Sequence, residues 1–342
     1  MASIKDVAAL AGVSLSTVSA VVNGLDCVKD STRQKVLNAI EVLGYTPNRS
    51  ARELVTKRKQ NIGFIAMVSE DYEKRIGTFD VGSDMFYVDY FQALAKEFSD
   101  SDFGLLYENY CFDPDHPVLP KMIRQNRVDS IFVLGGINTE AFLQTVRPLV
   151  PNIIVLGSNP EHCLSVHNDY YASVLDCIRY FTTRGHRKIA IVHGEKTAAY
   201  ALKHRAYQDA LKEAKIPYRD QLVFHAKYTA SAGYEAAKQI CGLPADLTPT
   251  AVFFACDILA AGAYRFFAEQ GIRIPDDLSV IGYENLILSE FLSPGLTSVD
   301  FQKEEIASAA ADMMKTLQKG KSSLSSAVIP YRMIERGSVR SI

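Results

Sequence analysis

Residues 4–23, IKDVAALAGVSLSTVSAVVN, have the spacing of two short helices joined by a tight turn. Val7, Ala8 and Ala11 fall on one apolar face of the first helix. Gly12 then supplies a position able to take positive φ. Ser14 is placed to cap a second helix, whose buried stripe is Val13, Val18 and Val21. Ala8 stands where the two helices cross, and a larger side chain there would hold them apart. Two helices crossing steeply over a glycine turn make a helix-turn-helix, which sets its second helix into the major groove of DNA. An ordinary helical hairpin is the bland alternative, and the next forty residues weigh against it.

After a loop at 23–30, Ser31 opens a third helix with Val36, Leu37, Ile40 and Leu43 at helical spacing, closed near Gly44. Residues 45–48, Tyr-Thr-Pro-Asn, break it. The amphipathic stretch 48–56 is too short to be helical alone in water, so it is expected to order only against something else. Residues 1–60 hold nine Lys/Arg against five Asp/Glu, and the remainder holds 28 against 34. A basic head on an acidic body points to a polyanion that meets the head alone.

A length of 342 residues calls for more than one domain. No N-terminal apolar h-region and no apolar run of eighteen residues is present, so neither a secretion signal nor a membrane span is expected. The six cysteines, at 27, 111, 163, 177, 241 and 256, form no CxxC pair and no metal-ligand spacing with the seven histidines. Free thiols in a reducing cytoplasm are the expected state, with no metal and no other cofactor.

From residue 61 the pattern becomes strand–helix alternation. Strand-like apolar runs occur at 62–68, 104–107, 130–134, 153–156, 188–193, 222–225, 251–255 and 278–283. Helical patterns lie at about 85–99, 117–126, 139–148, 170–184, 199–214, 229–241, 258–270 and 303–319. Continuous apolar strands alternating with helices predict parallel sheets covered on both faces. Eight units are too many for one sheet, so two doubly wound lobes are expected, with a crossing near 160–165 and a ligand cleft at the carboxyl ends of the strands. Gly135-Gly136 lacks the third glycine of a phosphate cradle, and Gly185-His186-Arg187 reads as a turn. No HExxH, GxSxG or other catalytic constellation is present, and no enzymatic activity is expected.

Five stretches in order carry a resemblance: IKDVAALAGVSLSTVSAVVNG, STRQKVLNAIEVLGYTPNRSARELVT, RGHRKIAIVHG, AVFFACDILAAGAYRFFAEQGIRIPDDLSVIGYEN and SPGLTSVD. Through them the chain resembles the lactose-repressor (LacI/GalR) family of bacterial transcription regulators, from residue 3 to about 338. The resemblance implies an all-α helix-turn-helix head at 1–47 and a hinge helix with linker at 48–60. It also implies a periplasmic-binding-protein-like α/β core of two doubly wound parallel-sheet lobes at 61–342. The N-lobe would comprise about 61–161 and 292–324, and the C-lobe about 162–291 and 325–342, since the chain of such a core crosses three times. A homodimer on pseudo-palindromic double-stranded DNA and a small-molecule effector, a sugar or sugar derivative, are implied partners, with no membrane.

Carried over position by position, Leu15, Ser16 and Ala20 fall where family members read bases. Ala20 stands where Arg is common, which removes a bidentate guanine contact and alters the operator at one base pair per half-site. Leu54 matches the hinge leucine that wedges into the minor groove. Ser14, Thr17, Asn23, Ser31, Tyr45, Asn48, Arg49 and Arg52 fall at or beside positions that hold the DNA backbone. In the effector cleft the matching positions are Phe86, Tyr87, Asp169, Lys203, Tyr228, Cys256, Asp257 and Glu284. Cys256-Asp257 replaces a usual Asn-Asp, Glu284 replaces an Asp, Lys203 an Arg, and Tyr170 an Asn. The loop 69–84 is longer than usual. The expected function is a repressor of a carbohydrate-utilisation operon under effector control. The alternative is a catabolite-type regulator controlled by a phosphocarrier protein. A solute-binding protein would need a secretion signal and no helix-turn-helix.

Overall fold

The computed structural model describes residues 2–22, 27–45, 59–69, 84–136, 138–194, 196–320 and 323–342. The hinge stretch 48–56, and with it Asn48, Arg49, Arg52 and Leu54, lies outside the described residues, as do Asn23 and the 70–83 part of the loop after the first core strand. The chain divides into two units, 1–60 and 61–342.

In the first unit, α1 (Ile4–Ala11) begins where the Asp6 carboxylate accepts hydrogen bonds from the backbone N–H and Oγ of Ser3, each at 2.8 Å. These bonds hold the Asp6 carboxyl below its usual range. Gly12 closes the helix in the left-handed region, φ 65°, where a Cβ would be strained. The chain then turns through 106° into α2 (Leu15–Val22), with Ser14 Oγ accepting from the Thr17 N–H at 3.1 Å. Helix α3 (Asp30–Leu43) covers the pair and ends at Gly44, φ 56°. Val7, Ala8, Val18, Val21, Val36 and Ala39 form the buried core. Two expectations for α3 are corrected. Leu37 is 44% exposed, because Ala39 occupies the inward position where α3 lies close on α1. The helix starts at Asp30 after Lys29, so Ser31 sits inside its first turn and caps nothing.

The second unit runs β1 (Asn61–Met67), α4 (Asp84–Glu97), β2 (Gly104–Tyr110), α5 (Lys121–Arg124), β3 (Ser130–Leu134), α6 (Thr139–Val146), β4 (Asn152–Leu156) and β5 (Leu164–His167). Then follow α7 (Tyr170–Thr183), β6 (Ile189–His193), α8 (Ala198–Glu213), β7 (Val223–His225), α9 (Ala230–Cys241), β8 (Ala251–Phe254), α10 (Asp257–Glu269) and β9 (Ser279–Ile281). The chain ends with α11 (Leu288–Phe291), β10 (Ser298–Asp300), α12 (Lys303–Gln318), β11 (Ala327–Val328) and β12 (Arg332–Ile334). One parallel sheet has the order β11-β5-β4-β3-β1-β2, and a second has β7-β6-β8-β9. Strands β3 and β6 are buried along their whole length, as strands covered on both faces must be. Helix α12 packs against α4 and the first sheet, returning the chain to the first lobe. Strands β10 and β12 pair antiparallel as a separate ribbon.

The lobe edges differ from expectation at three places. Residues 164–167 form a strand of the first sheet, with Leu164 beside Ile154, so the first crossing follows His167. Residues 327–328 also join that sheet, beside Val166 and His167. Leu296 is buried in the core of the second lobe, so residues 292–297 stay there. Short strands with polar members, such as Leu-Ser-Val-His, carry too little apolar signal to be seen alone.

Ala8 is nearly buried at the crossing of α1 and α2. Ala8→Leu is expected to destabilise the head by about 1–3 kcal/mol while the melt of residues 61–342 stays in place. Scanning calorimetry that showed both transitions shifting together would contradict this packing.

Candidate functional site: the outward face of the head and the interlobe cleft

On the head, α2 buries Val18 and Val21 and turns Leu15, Ser16 and the half-buried Ala20 outward. Ser14 Oγ lies 2.7 Å from Ser16 Oγ and 2.8 Å from Thr17 Oγ1, so three hydroxyls close the start of the helix together. Tyr45 is half-buried after the Gly44 cap, and Ser31 is exposed. All these residues sit on one small three-helix unit.

The second unit holds a cavity of about 200 Å³ between its lobes. Its walls come from the carboxyl ends of the strands, where open α/β sheets present ligand crevices. The first lobe contributes Met67, Phe86, Tyr87, Gly135, Gly136 and Ser158, and the second contributes Thr197, Lys203, Tyr228, Cys256 and Glu284. Phe301 and Tyr170 lie at the junction. The Phe301 ring stands 4.9 Å from that of Tyr283 and 5.8 Å from that of Tyr170, both edge-on. Lys203 is buried, with Nζ 4.0 Å over the Tyr283 ring and donating to the Ala255 carbonyl at 3.3 Å. Burial pushes the Lys203 ammonium down, and the negative charge of Glu284 opposes this. Burial pushes the Glu284 carboxyl up, the charge of Asp257 adds to the rise, and Lys203 opposes it. Glu284 itself is held at φ 105°, a backbone conformation rare outside glycine and found where structure over-determines a functional position. The Ser158 hydroxyl is buried with no partner among the described residues.

The structure thus brings Phe86, Tyr87, Lys203, Tyr228, Cys256 and Glu284 around one cavity. Two of the expected cleft residues do not line it. Asp169 is exposed and caps α7, its Oδ1 accepting from the Ala172 N–H at 2.9 Å. Asp257 is fully buried behind the wall. Its carboxylate accepts from the N–H groups of Tyr283 and Leu286 at 2.7 and 2.8 Å, and from the hydroxyls of Ser289 and Ser298 at 2.6 and 2.7 Å. All its acceptor capacity is used inside the protein. Gly282 permits this, since a Cβ there would lie 2.1 Å from Asp257 Oδ1. Burial raises the Asp257 carboxyl to about 6, against the four bonds that lower it. Thr197, Ser158 and Phe301 were not among the expected site residues, although each lies at or near a strand end.

A histidine cluster at the end of β6 also escaped the sequence. His193 Nε2 faces His204 Nδ1 at 3.1 Å, and the His193 ring stacks on His225 at 5.8 Å and meets Tyr200 edge-on at 4.7 Å. The other ring nitrogen of His193 has no partner among the described residues. Burial, helped by the nearby positive ends of His204, Lys203 and His225, lowers His193 to about 3. Among the described residues no group of three His, Cys, Asp or Glu is arranged to hold a metal ion, and no single helix is long and apolar enough to cross a membrane.

A helix-turn-helix head joined to a two-lobed α/β core with a cleft defines a DNA-binding transcription regulator of the two-lobed ligand-binding type. Residues 3–48 match the bacterial regulatory proteins of the lacI family, and residues 178–339 match the periplasmic binding protein-like domain. The chain is 31% identical to catabolite control protein A of Priestia megaterium, over 98% of this chain and 99% of that protein. It is 30% identical to the HTH-type transcriptional repressor PurR of Histophilus somni, over 94% of each. Among solved structures, the lac repressor dimer bound to operator and the anti-inducer ONPF superposes with a TM-score of 0.80 at 21% identity, over 99% of both chains. The chain belongs to the lacI family of bacterial transcription regulators.

Two expectations follow from the buried groups. Asp257→Ala leaves two backbone and two hydroxyl donors without their acceptor, so the second unit should lose on the order of 3 kcal/mol. A loss below about 1 kcal/mol in urea unfolding would remove Asp257 as the organiser of this wall. For His193, the folded pKa lies below the unfolded one of about 6.5. The unfolded chain therefore binds a proton that the native chain refuses, and stability falls as pH drops from 6.5 towards 3. Between pH 7 and 5 this amounts to about 2 kcal/mol for His193. Asp257, raised to about 6, acts in the opposite sense, so the His193 contribution is read as a difference. His193→Phe should lose less stability on acidification than the parent chain, and parallel pH profiles would contradict it.

Proposed function

We propose that the chain is a homodimeric repressor of a carbohydrate-utilisation operon, controlled by a small sugar-like effector in the interlobe cavity. Two heads take the two half-sites of a pseudo-palindromic operator, and Leu54 from each hinge wedges into the minor groove at the centre. Leu15, Ser16 and Ala20 meet base edges. Ser14, Thr17, Asn23, Ser31, Tyr45, Asn48, Arg49 and Arg52 hold or flank the DNA backbone. The observation that carries the effector reading is the cavity itself. It offers the Glu284 carboxyl, the Lys203 amino group and the unpartnered Ser158 hydroxyl among the aromatic side chains of Tyr228, Phe86 and Tyr170, a set suited to ring hydroxyls and the apolar face of a sugar ring. Solved relatives include a CelR–cellobiose complex and an Enterococcus faecium regulator with bound ribose, which supports a sugar for this chain.

Effector binding changes the angle between lobes and so the spacing of the two hinges. A coupling of about 3 kcal/mol corresponds to roughly 150-fold regulation. The second reading, control by a phosphocarrier protein, is favoured by the 31% identity to catabolite control protein A.

The experiment is a thermal-shift series on the full chain with sugars, sugar phosphates, nucleobases and, separately, a phosphocarrier protein. A sugar at a hundred times its Kd should stabilise by about 2.7 kcal/mol, and the shift should vanish in Lys203→Ala. Stabilisation by the carrier alone selects the second reading. A nucleobase as the sole ligand overturns the sugar.

A further inference from the structure

Base reading by a helix-turn-helix depends on what the outward face of its second helix carries. From Ser14 to Val22 this chain has no Arg, Lys, Asn, Gln, Asp or Glu, so α2 cannot form the bidentate pairs that pick out guanine or adenine. The hydroxyls of Ser16 and Thr17 each share a hydrogen bond with that of Ser14 just before the helix, at 2.7 and 2.8 Å. Leu15, by contrast, is 46% exposed. It stands in the first turn, the part of a recognition helix that reaches base edges. Ala20, one and a half turns further on, presents only a methyl group. The excess of nine basic over five acidic residues in the first sixty fits a polyanionic occupant for this face and supplies attraction without sequence information. In the major groove the one apolar feature of a base pair is the 5-methyl group of thymine.

We infer that Leu15 and Ala20 read the operator by apolar contact with thymine 5-methyl groups in place of donor–acceptor pairing. The inference rests on the DNA-binding role and goes beyond it in naming the chemical feature that is recognised. Each methyl buried in this way is worth about fourfold in affinity. Recognition of this kind follows the methyl group and not the base pair. Uracil should therefore be read as a defect, although it pairs like thymine, and 5-methylcytosine should be read in part as thymine.

The test uses the full chain and a selection from a random inverted-repeat library, followed by titration of the selected site at one fixed salt concentration. Each thymine is replaced in turn by deoxyuridine, and the sensitive T·A pairs are also replaced by C·G and by 5-methyl-C·G. The expected result is a loss of about fourfold per methyl at one or two positions in each half-site. The 5-methyl-C·G pair should bind more tightly than C·G, and the uracil penalty should disappear in Leu15→Ala. Circular dichroism and an unchanged thermal melt would establish that this variant is folded. Indifference to uracil at every thymine, with large losses for changes at guanine or adenine, overturns the inference while leaving DNA binding intact. A selection that enriches no inverted repeat overturns both.

Discussion

The wall of the cleft depends on one buried carboxylate. Asp257, at the start of α10, gathers four donors from the segment that follows β9, and the Asp257 N–H donates back to the Tyr283 carbonyl at 2.9 Å. A buried charge is tolerable only when its lone pairs are filled, and here they are. The result is a fixed loop that carries Glu284 at its unusual φ and sets it beside Cys256 in the cavity wall. Without that carboxylate two of the loop's N–H groups would lose their acceptor, leaving the bonds from the Glu284 N–H to the Val299 carbonyl at 2.9 Å and from the Asn285 N–H to Ser298 Oγ at 3.1 Å to hold the turn. The residue that builds the site is thus distinct from the residues that face it.

A second constraint lies at the lobe junction. Tyr170, Tyr283 and Phe301 come from α7, the loop after β9 and the stretch after β10, and the Phe301 ring meets those of Tyr170 and Tyr283 edge-on. The stretches that carry Tyr170 and Phe301 are among those by which the chain passes between lobes, and Tyr283 packs on them. Lys203 sits over the same Tyr283 ring. A ligand that engages Lys203 or Glu284 therefore touches groups packed directly on the crossing segments, and a change in lobe angle must repack those rings. Close-packed rings have few discrete arrangements, which suits a two-state response better than a graded one.

Much of this was legible in the chain. The helix-turn-helix announced itself because Gly12, Ser14 and the valine spacing each state a local geometry, and no long-range contact is needed to read them. The alternation of apolar strands and helices likewise located the main sheets. The six expected residues that meet around the cavity could be placed only by resemblance, since Lys203 and Glu284 lie far apart in sequence and neither motif is distinctive alone. Asp169 and Asp257 misled for a common reason. Both are carboxylates at helix starts, where a cap, a structural hub and a ligand contact look alike in sequence. The histidine cluster was invisible because His193, His204 and His225 come from three elements, and only the register of β6 on β7 sets His193 beside His225.

The apolar character of α2 has a consequence for assembly. A single head that reads two methyl groups discriminates by about sixteenfold, too little to find one site among the many random sequences of a genome. Two heads on one inverted repeat multiply these factors to about 250-fold if the contacts are independent. Any deformation of the DNA between the heads would add a further dependence on sequence. Specificity in such a protein therefore resides mainly in spacing and simultaneity, because each half-site alone is a weak signal. That places the burden of recognition on whatever fixes the distance between heads, the quantity that the proposed effector control would have to alter. A head with strong guanine contacts could bind a half-site alone and resist release. A head that reads methyl groups can be switched off by losing register.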